Sequence, residues 1–336
     1  MGVNGEISVI DMHTGGEPLR IVTSGYPPIK GDSILEKRRY AREYLDDYRR
    51  FLMFEPRGHY DMYGAILVPT TLPTADFGVL FIHNEGYSTM CGHAVIALGR
   101  YAIDHGLVEK QEPITRVGIE CPCGLVEAFV EVKDGIAGAV SFRSVPAFLH
   151  SGDVQVEPEG FSPITVDVAY GGAFYGLANA ADFGLDVRTS RTRDLVDAAN
   201  AVSDAINKTI KLHHPDDDDL AYLYGTILTD GRDIYSDEST ANICVFAASQ
   251  VDRSPTGSGV TARLAAQAAK GLIDVGQPRT FESCIGTTFK GTVAEQTTCG
   301  QFPAVVVEVS GSANYSGKAT FWKEEGDSVG AGFLLR

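Results

Sequence analysis

This chain has fewer basic than acidic residues. Its 28 lysines and arginines face 44 aspartates and glutamates among 336 residues, which gives a formal net charge of −16 at pH 7. Nucleic acids and anionic lipid surfaces both attract clustered positive charge, so neither a nucleic acid nor a membrane is an expected partner. A small anionic ligand is still allowed, because a helix N-terminus can hold one locally.

Long apolar runs are also missing. No segment approaches the ~20 apolar residues that span a bilayer. The opening MGVNGEISVIDMH has no basic region followed by an apolar one, as a secretory leader has. With 44% apolar and 21% charged residues, the composition is that of a folded soluble protein. We therefore expect a cytoplasmic enzyme or binding protein.

Cysteine is sparse, and its spacing predicts no disulfide framework in a chain of this size without a leader. Cys121-Pro122-Cys123 is the pair that most resembles a metal motif. No further Cys or His flanks it at close spacing, so no metal site is predicted. The Asp216–Asp219 run follows His213 and His214, but like charges in a short run repel and stay in water. We interpret this run as a solvated loop.

Glycine is abundant, at 37 residues, and the length favours two domains. Apolar periodicity and capping residues predict helices over residues 33–50, 92–105, 192–211 and 257–270. Short strands are predicted between them, over residues 7–11, 19–23, 63–68, 78–83, 116–120, 125–132, 139–143, 164–168, 221–228, 242–246, 289–294, 304–309 and 317–321.

Two pairs of markers indicate an internal repeat. The segment Asp11–Gly16 and the segment Asp167–Gly172 share the pattern D-x-x-x-G-G. Further along each half, Cys91-Gly92 and Thr256-Gly257 both stand just before a predicted helix. The markers recur in the same order and at similar offsets, which predicts two duplicated halves.

The two helix starts carry side chains of very different acidity. N–H groups in the first helical turn have no partner within the helix, and the dipole there favours negative charge. This field would stabilise a thiolate at Cys91, whereas the Thr256 hydroxyl stays protonated near neutral pH. Glycines at 92, 257 and 259 would let a ligand approach the backbone. On spacing alone, Cys91 also fits a buried structural cysteine and Thr256 an ordinary N-cap.

Two polar residues stand beside these starts. His93 would suit a hydrogen bond to a substrate amine or protonation of a leaving group, and Asp252 would suit pairing with a cationic ring nitrogen. Each also fits a purely structural role. His13, Glu17 and Arg57 lie in glycine-rich surroundings, and the sequence assigns them no role.

The chain resembles the proline racemase family, which includes 4-hydroxyproline epimerases and trans-3-hydroxy-L-proline dehydratases. The resemblance runs from about Ser8 to the C-terminus. Six motifs carry it: Asp11-Met-His-Thr-Gly-Gly-Glu-Pro-Leu-Arg20, Glu55-Pro-Arg-Gly-His59, Asp61-Met-Tyr-Gly64, Asn84-Glu-Gly-Tyr87, Met90-Cys-Gly-His93 and Asp252-Arg-Ser-Pro-Thr-Gly257.

The resemblance implies an α/β (α+β) fold of two pseudo-symmetric lobes. Each lobe would be a mixed sheet curled around a central helix, as in diaminopimelate epimerase, with the active site in the cleft between the lobes. Residues 1–150 and the tail 315–336 would form the N-lobe carrying Cys91, and residues 151–314 the C-lobe carrying Thr256.

The same resemblance implies the site. Cys91 would be the catalytic base, and Asp252 would hold the ring nitrogen of the substrate. Ile66 would form a wall of the pocket. Thr256 stands where racemases and epimerases of this family carry a second catalytic cysteine. The backbone and side chains that would hold the substrate carboxylate and nearby atoms belong to Gly92, His93, Gly257 and Ser258.

The Cys91 and Thr256 pair favours elimination over racemisation. Racemisation needs one group to remove the Cα proton and another to return a proton on the opposite face. Elimination needs no reprotonation of that carbon. We therefore expect dehydration of trans-3-hydroxy-L-proline to Δ1-pyrroline-2-carboxylate, with no cofactor and no metal. The alternatives are a racemase or hydroxyproline 2-epimerase with a weak second acid, or a non-catalytic binder of proline analogues. The only partner expected is the small-molecule substrate, and a homodimer is an allowed assembly.

Overall fold

The structure is a computed structural model that describes residues 5–335, and strands dominate it. The α-helices are α1 (Ile34–Tyr44), α2 (Asp46–Met53), α3 (Gly92–Asp104), α4 (Thr192–Thr209) and α5 (Gly257–Ala269). Short 3₁₀ helices cover Ala180–Phe183 and Asp218–Leu220. Within residues 5–335, no helix combines the length and apolar character needed to cross a membrane.

The strands of the first half and the tail are β1 (Ile7–Thr14), β2 (Glu17–Ser24), β3 (Tyr63–Val68), β4 (Phe77–His83), β5 (Tyr87–Ser88), β6 (Ile114–Cys121), β7 (Gly124–Lys133), β8 (Ile136–Arg143) and β18 (Ala313–Phe321). Those of the second half are β9 (Ala147–Val156), β10 (Ile164–Tyr170), β11 (Phe174–Asn179), β12 (Leu223–Thr229), β13 (Thr240–Phe246), β14 (Gln250–Asp252), β15 (Pro278–Glu282), β16 (Thr288–Cys299) and β17 (Phe302–Gly311).

The chain divides into two compact units. One runs to Val140 and continues from Ser312, and the other is Ser141–Gly311. In the first unit, β1 pairs antiparallel with β18 and β2, β2 pairs parallel with β3, and β3 pairs antiparallel with β4. Strand β4 then pairs parallel with β6, which forms an antiparallel hairpin with β7.

The second unit has the same order of pairings. Strand β10 pairs antiparallel with β9 and β11, β11 pairs parallel with β12, and β12 pairs antiparallel with β13. Strand β13 pairs parallel with β15, which is antiparallel to β16. The D-x-x-x-G-G turns join β1 to β2 and β10 to β11, so the sequence repeat marks equivalent hairpins.

One helix in each unit packs against several of that unit's strands. Helix α3 contacts β1, β2, β6, β7 and β18, and helix α5 contacts β9, β10, β11, β16 and β17. Both helices are buried along most of their length. Helix α3 is apolar on most sides and needs such cover. Helix α5 also buries Arg263 and Gln267, whose polar groups form hydrogen bonds within the second unit.

The predicted helix over residues 33–50 is two helices. Ser33 caps α1 as expected, because its hydroxyl oxygen accepts the N–H of Glu36 at 3.2 Å. The helix stops at Leu45 (φ −125°, ψ 13°), and α2 restarts with Asp46 and Asp47 in its first turn. Carboxylates are favourable at a helix N-terminus, so these two residues suit a second start.

Candidate active site

Cys91 is the N-cap of α3 and lies at the end of an extended segment (φ −150°, ψ 104°). Its carbonyl accepts the N–H of Val95 at 3.0 Å, which closes the first helical turn. Its Sγ lies 3.2 Å from Nδ1 and 3.6 Å from Nε2 of His93, and the residue is only 4% exposed. The sulfur therefore lies at a helix N-terminus and in contact with an imidazole.

His93 is held from two directions. Its backbone carbonyl accepts the Thr14 hydroxyl at 2.8 Å, which ties the start of α3 to the end of β1. Its ring meets the edge of the Tyr63 ring, with centroids 4.9 Å apart at 72°. Tyr63 is in turn fixed by stacking on His83 and by a short hydroxyl contact with Ser88. The imidazole beside the Cys91 sulfur is therefore preorganised.

Cys121 and Cys123 lie close to the start of α3 but are not at a helix N-terminus. The N–H of Cys123 donates to the Thr89 carbonyl at 3.1 Å, which ties the β6–β7 turn to the segment entering α3. Burial raises the pKa of Cys121 well above its usual range, with smaller contributions from Cys123 and Cys91. Cys121 is therefore a protonated structural thiol.

Thr256 is the N-cap of α5, but it is not an ordinary cap. Its backbone has φ +65° and ψ 91°, an uncommon conformation for a β-branched residue and one that costs about 1–3 kcal/mol. Its hydroxyl makes no capping bond, and Oγ1 is buried without a hydrogen-bond partner in residues 5–335. The surrounding loop must therefore impose this conformation.

Side-chain hydrogen bonds fix the loop that enters α5. Asp252, at the end of β14, accepts the Ser254 N–H at 2.7 Å through Oδ1. The Ser254 hydroxyl oxygen accepts the Thr256 N–H at 3.1 Å. Asp252 is 6% exposed, and its second carboxylate oxygen offers an acceptor for a ligand cation.

A buried arginine holds the same loop from behind. Arg263, one to two turns into α5, donates to Oδ1 of Asn242 at 3.0 Å, and Nδ2 of Asn242 donates to the Pro255 carbonyl at 3.2 Å. Arg263 also donates to the Thr240 hydroxyl at 2.8 Å and lies over the Phe281 ring. These bonds hold the peptide immediately before Thr256.

Ser258 has a partner that the sequence did not reveal. The hydroxyls of Ser258 and Tyr175 are 2.7 Å apart, and both residues are buried. Burial is the main cause that raises the pKa of Tyr175 well above its usual range, so the phenol stays neutral. Tyr175 lies on β11, a strand missing from the sequence prediction, and no motif marks it.

Close approach at two glycines shapes the start of α5. A Cβ on Gly171 would lie 2.2 Å from the Ser258 carbonyl oxygen, and a Cβ on Gly259 would lie 2.5 Å from Cδ1 of Ile227. The Gly171–Gly172 turn therefore packs directly on the first turn of α5. Thr14 makes the equivalent contact to α3 in the first unit.

The other sequence candidates are also located. Ile66 lies on β3 in the first unit's core, 3% exposed, and pairs with Val22 and Leu80. Arg57 donates to the Phe51 and Gly330 carbonyls and lies over the Phe51 ring, which is a structural role. Glu17 is fully buried at the start of β2, and His13 is partly buried on β1.

The structure gathers the candidate residues into one group in each unit. In the first, Gly92 begins α3 with the contacting pair Cys91 and His93 on either side of it. In the second, the group begins at Asp252 and continues through the start of α5 at Thr256, Gly257 and Ser258. The first group offers a thiol beside an imidazole, and the second offers a carboxylate and hydroxyls.

Known structures define the class to which this fold belongs. A hydroxyproline epimerase from Agrobacterium vitis, solved with bound trans-4-hydroxy-L-proline, has a TM-score of 0.90 and 28% identity, covering 100% of this chain and 97% of that one. The protein therefore has the mixed, strand-rich α/β fold of the racemase-like enzymes. The family model described as proline racemase matches residues 9–334, and the chain belongs to that family.

Two curated relatives cover almost the whole chain. A protein of Xenopus tropicalis named trans-L-3-hydroxyproline dehydratase is 61% identical over 98% of this chain and 95% of its own length. A protein of Burkholderia multivorans named 3-hydroxyproline 2-epimerase is 47% identical over 100% of both chains.

Proposed function

We propose that this protein is a trans-3-hydroxy-L-proline dehydratase, a hydro-lyase that forms Δ1-pyrroline-2-carboxylate. The proposal depends on one observation: Cys91 is the N-cap of α3 in one unit, and Thr256 is the N-cap of the equivalent helix α5 in the other. Only the first of these side chains can act as a base near neutral pH. The name of the Xenopus tropicalis relative supports the same reaction.

The two helix starts act on one substrate in this proposal. It therefore requires the finer architecture expected from the sequence, in which each lobe curls around its central helix and the substrate lies in the cleft between lobes. The first turns of α3 and α5 then supply N–H donors to the substrate carboxylate at Gly92, His93, Gly257 and Ser258, with Ile66 as a pocket wall. Asp252 binds the cationic ring nitrogen, a contact worth about 1.5–3 kcal/mol.

Cys91 removes the C2 proton in the first step. The thiolate is stabilised by the start of α3 and by the His93 ring 3.2 Å from its sulfur. The carbanion-like state that forms at C2 needs donors already aimed at the carboxylate, and one such donor can contribute about 3 kcal/mol.

Loss of water completes the reaction. In trans-3-hydroxy-L-proline, the C2 hydrogen and the C3 hydroxyl lie on the same face of the ring. The C3–O bond breaks as the C2 electron pair forms the C2–C3 double bond, and hydroxide leaves with the proton held by Cys91. This regenerates the thiolate. The enamine product then tautomerises to the imine.

Epimerisation is the second candidate, because the Burkholderia multivorans relative carries the name of a 3-hydroxyproline 2-epimerase. It would need Thr256, or a water beside it, to exchange a proton with C2 on the face opposite Cys91. An aliphatic hydroxyl remains protonated near neutral pH, so it cannot serve as the base that the reverse reaction needs.

One assay separates these functions. The protein is incubated with trans-3-hydroxy-L-proline, trans-4-hydroxy-L-proline and L-proline, while imine formation and optical rotation are followed together. We expect imine from the 3-hydroxy compound alone and no inversion of the other two. Inversion without imine would instead identify an epimerase or racemase, and saturable binding without turnover would identify a non-catalytic binder.

A further inference from the structure

Three side chains that are all common metal ligands meet in the second unit, outside the residues of the proposed reaction. They are His214 and Asp216, in the loop after α4, and Cys299, the last residue of β16. A ring nitrogen, a carboxylate oxygen and Sγ all lie within 4.8 Å of one another. His214 and Cys299 are buried at 3% and 7% exposure, and Asp216 is exposed.

Close packing between the loop and the β16–β17 turn brings these side chains together. Gly300 has φ +54°, and a Cβ there would lie 2.6 Å from Cβ of Pro215, between His214 and Asp216. The His214 ring is further fixed by aromatic neighbours, with its centroid 4.5 Å from that of Tyr170 and 5.9 Å from that of Phe148. The arrangement is therefore set by backbone and aromatic packing rather than by flexible side chains.

His214 carries a polar atom that the protein leaves unsatisfied. Its Nδ1 accepts the N–H of Asp216 at 3.2 Å. Its Nε2 is buried and has no hydrogen-bond partner among residues 5–335. A buried polar group without a partner costs about 1–3 kcal/mol, and an unseen ion is one of the ordinary explanations for it.

We propose that His214, Asp216 and Cys299 bind one zinc ion, which fastens the loop after α4 to the β16–β17 turn. Thiolate, imidazole and carboxylate are the ligands that Zn²⁺ takes in proteins, at about 2.0–2.3 Å. Ligand atoms within 4.8 Å of one another need only a small contraction to reach such a sphere. The exposed side of Asp216 leaves room for water as the fourth ligand.

This proposal changes the interpretation of the Asp216–Asp219 run. Asp217 caps the short 3₁₀ helix, since its Oδ1 accepts the N–H of Asp219 at 2.8 Å, and Asp218 is exposed. Those three residues fit the solvated loop that the sequence indicated. Asp216 alone is directed to the cluster, so the four carboxylates are not equivalent.

Cobalt titration of the full-length protein tests the site. The protein is freed of metal with a chelator and titrated with Co²⁺, whose bond to a thiolate gives a charge-transfer absorption band, and Zn²⁺ is then added as competitor. We expect one equivalent of Co²⁺ to give the band and Zn²⁺ to remove it. The band should persist in Cys91→Ser and disappear in Cys299→Ser.

Matched variants guard against a folding defect. Asp216→Asn removes an exposed ligand and should weaken Co²⁺ binding, whereas Asp218→Asn, in the same acidic run, should leave it unchanged. Zinc should raise the Tm of the wild type and of Asp218→Asn but not that of Asp216→Asn. A missing band in the wild type, or a band that survives Cys299→Ser, would overturn the proposal. So would equal behaviour of the two Asp→Asn variants.

Discussion

The starts of α3 and α5 share a plan and differ in their chemistry. Each N-cap carbonyl accepts the N–H of the residue four positions later, Val95 at 3.0 Å and Val260 at 2.7 Å. Cys91 has an ordinary extended backbone and a sulfur in contact with His93, whereas Thr256 has φ +65°. Within residues 5–335, the Thr256 hydroxyl has no hydrogen-bond partner.

The two starts differ in what their neighbours hold in place. At Cys91 the neighbours act on the side chain, since an imidazole lies against the sulfur. At Thr256 they act on the backbone, since Ser254 and the Asn242–Arg263 pair fix the peptide while the hydroxyl is left alone. The contacts at the first start therefore fall on the side chain, and those at the second fix the backbone next to Asp252.

The largest expected effect comes from replacing Cys91, the proposed base. Cys91→Ser should lower dehydration by about 10²–10⁴-fold, the usual contribution of a general base. The Tm should stay close to that of the wild type, because the substitution keeps size and position. Turnover is measured by imine formation. Near-normal turnover in a folded variant would show that Cys91 is not the base.

The next test gives both helix starts, those of α3 and α5, a cysteine as the N-cap. Thr256→Cys places a second thiol at the start of α5 and should introduce some 2-epimerisation. In D₂O, recovered substrate should then carry deuterium at C2, which mass spectrometry measures. The wild type serves as the control and should show far less exchange. If the variant incorporates no deuterium, the two helix starts do not face one substrate.

A smaller effect is expected at Tyr175. Tyr175→Phe removes one hydrogen bond to Ser258, worth about 1 kcal/mol, and should lower kcat/KM by roughly fivefold, mainly through KM. The same substitution in a Ser258→Ala background should have almost no further effect, because the partner is already gone. Equal losses in both backgrounds would mean that Tyr175 acts through general packing.

The smallest effect on turnover is expected at Glu120 in the first unit, where a substitution acts on stability instead. Glu120 is buried, and burial by itself would raise the pKa of its carboxyl group. Hydrogen bonds from Thr70 and Thr71 outweigh this effect and hold the pKa below its usual range. A lowered pKa adds stability above the unfolded pKa of about 4.3, and this stability is lost as the pH falls through the lower folded pKa.

Glu120→Gln should therefore lower the free energy of unfolding by about 1–3 kcal/mol near neutral pH. The NH₂ group of glutamine would face the donor groups of Thr70 and Thr71 and could not accept their hydrogen bonds. The deficit should shrink on acidification, as urea unfolding at several pH values would measure. Glu127→Gln is the matched control. The Glu127 side chain is partly exposed and pairs only with the surface residue Arg116, so its loss should change stability little. A deficit that is independent of pH would rule out the ionisation argument.

Much of the fold followed from local pattern. Helices α3, α4 and α5 end within two residues of the predicted limits, because their apolar periodicity is strong. Gly106 after α3 and Gly271 after α5 add stop signals. Strand β9 was missed. Its centre, His150-Ser151-Gly152-Asp153, has no alternation, and its pairing with β10 is interrupted by register shifts. Tertiary pairing, not local pattern, makes it a strand.

The site was predictable only in part. The thiol, the carboxylate and the glycines at 92 and 257 stand in recognisable motifs. The positive φ of Thr256 has no local signal, because Gly or Asn would be expected there. It depends on Asn242 and Arg263, which become its neighbours only once the unit has folded. The contact between Tyr175 and Ser258 likewise forms only in the folded unit, because the two residues are 83 positions apart.

The contact between Thr14 and His93 has a consequence for the time course of folding. These residues are 79 positions apart in the chain, so the start of α3 acquires its support only when distant segments have met. Contacts of such high sequence separation form slowly, whereas helical turns form early. On refolding, recovered turnover should therefore lag behind the circular dichroism signal of the helices and report completion of the whole unit.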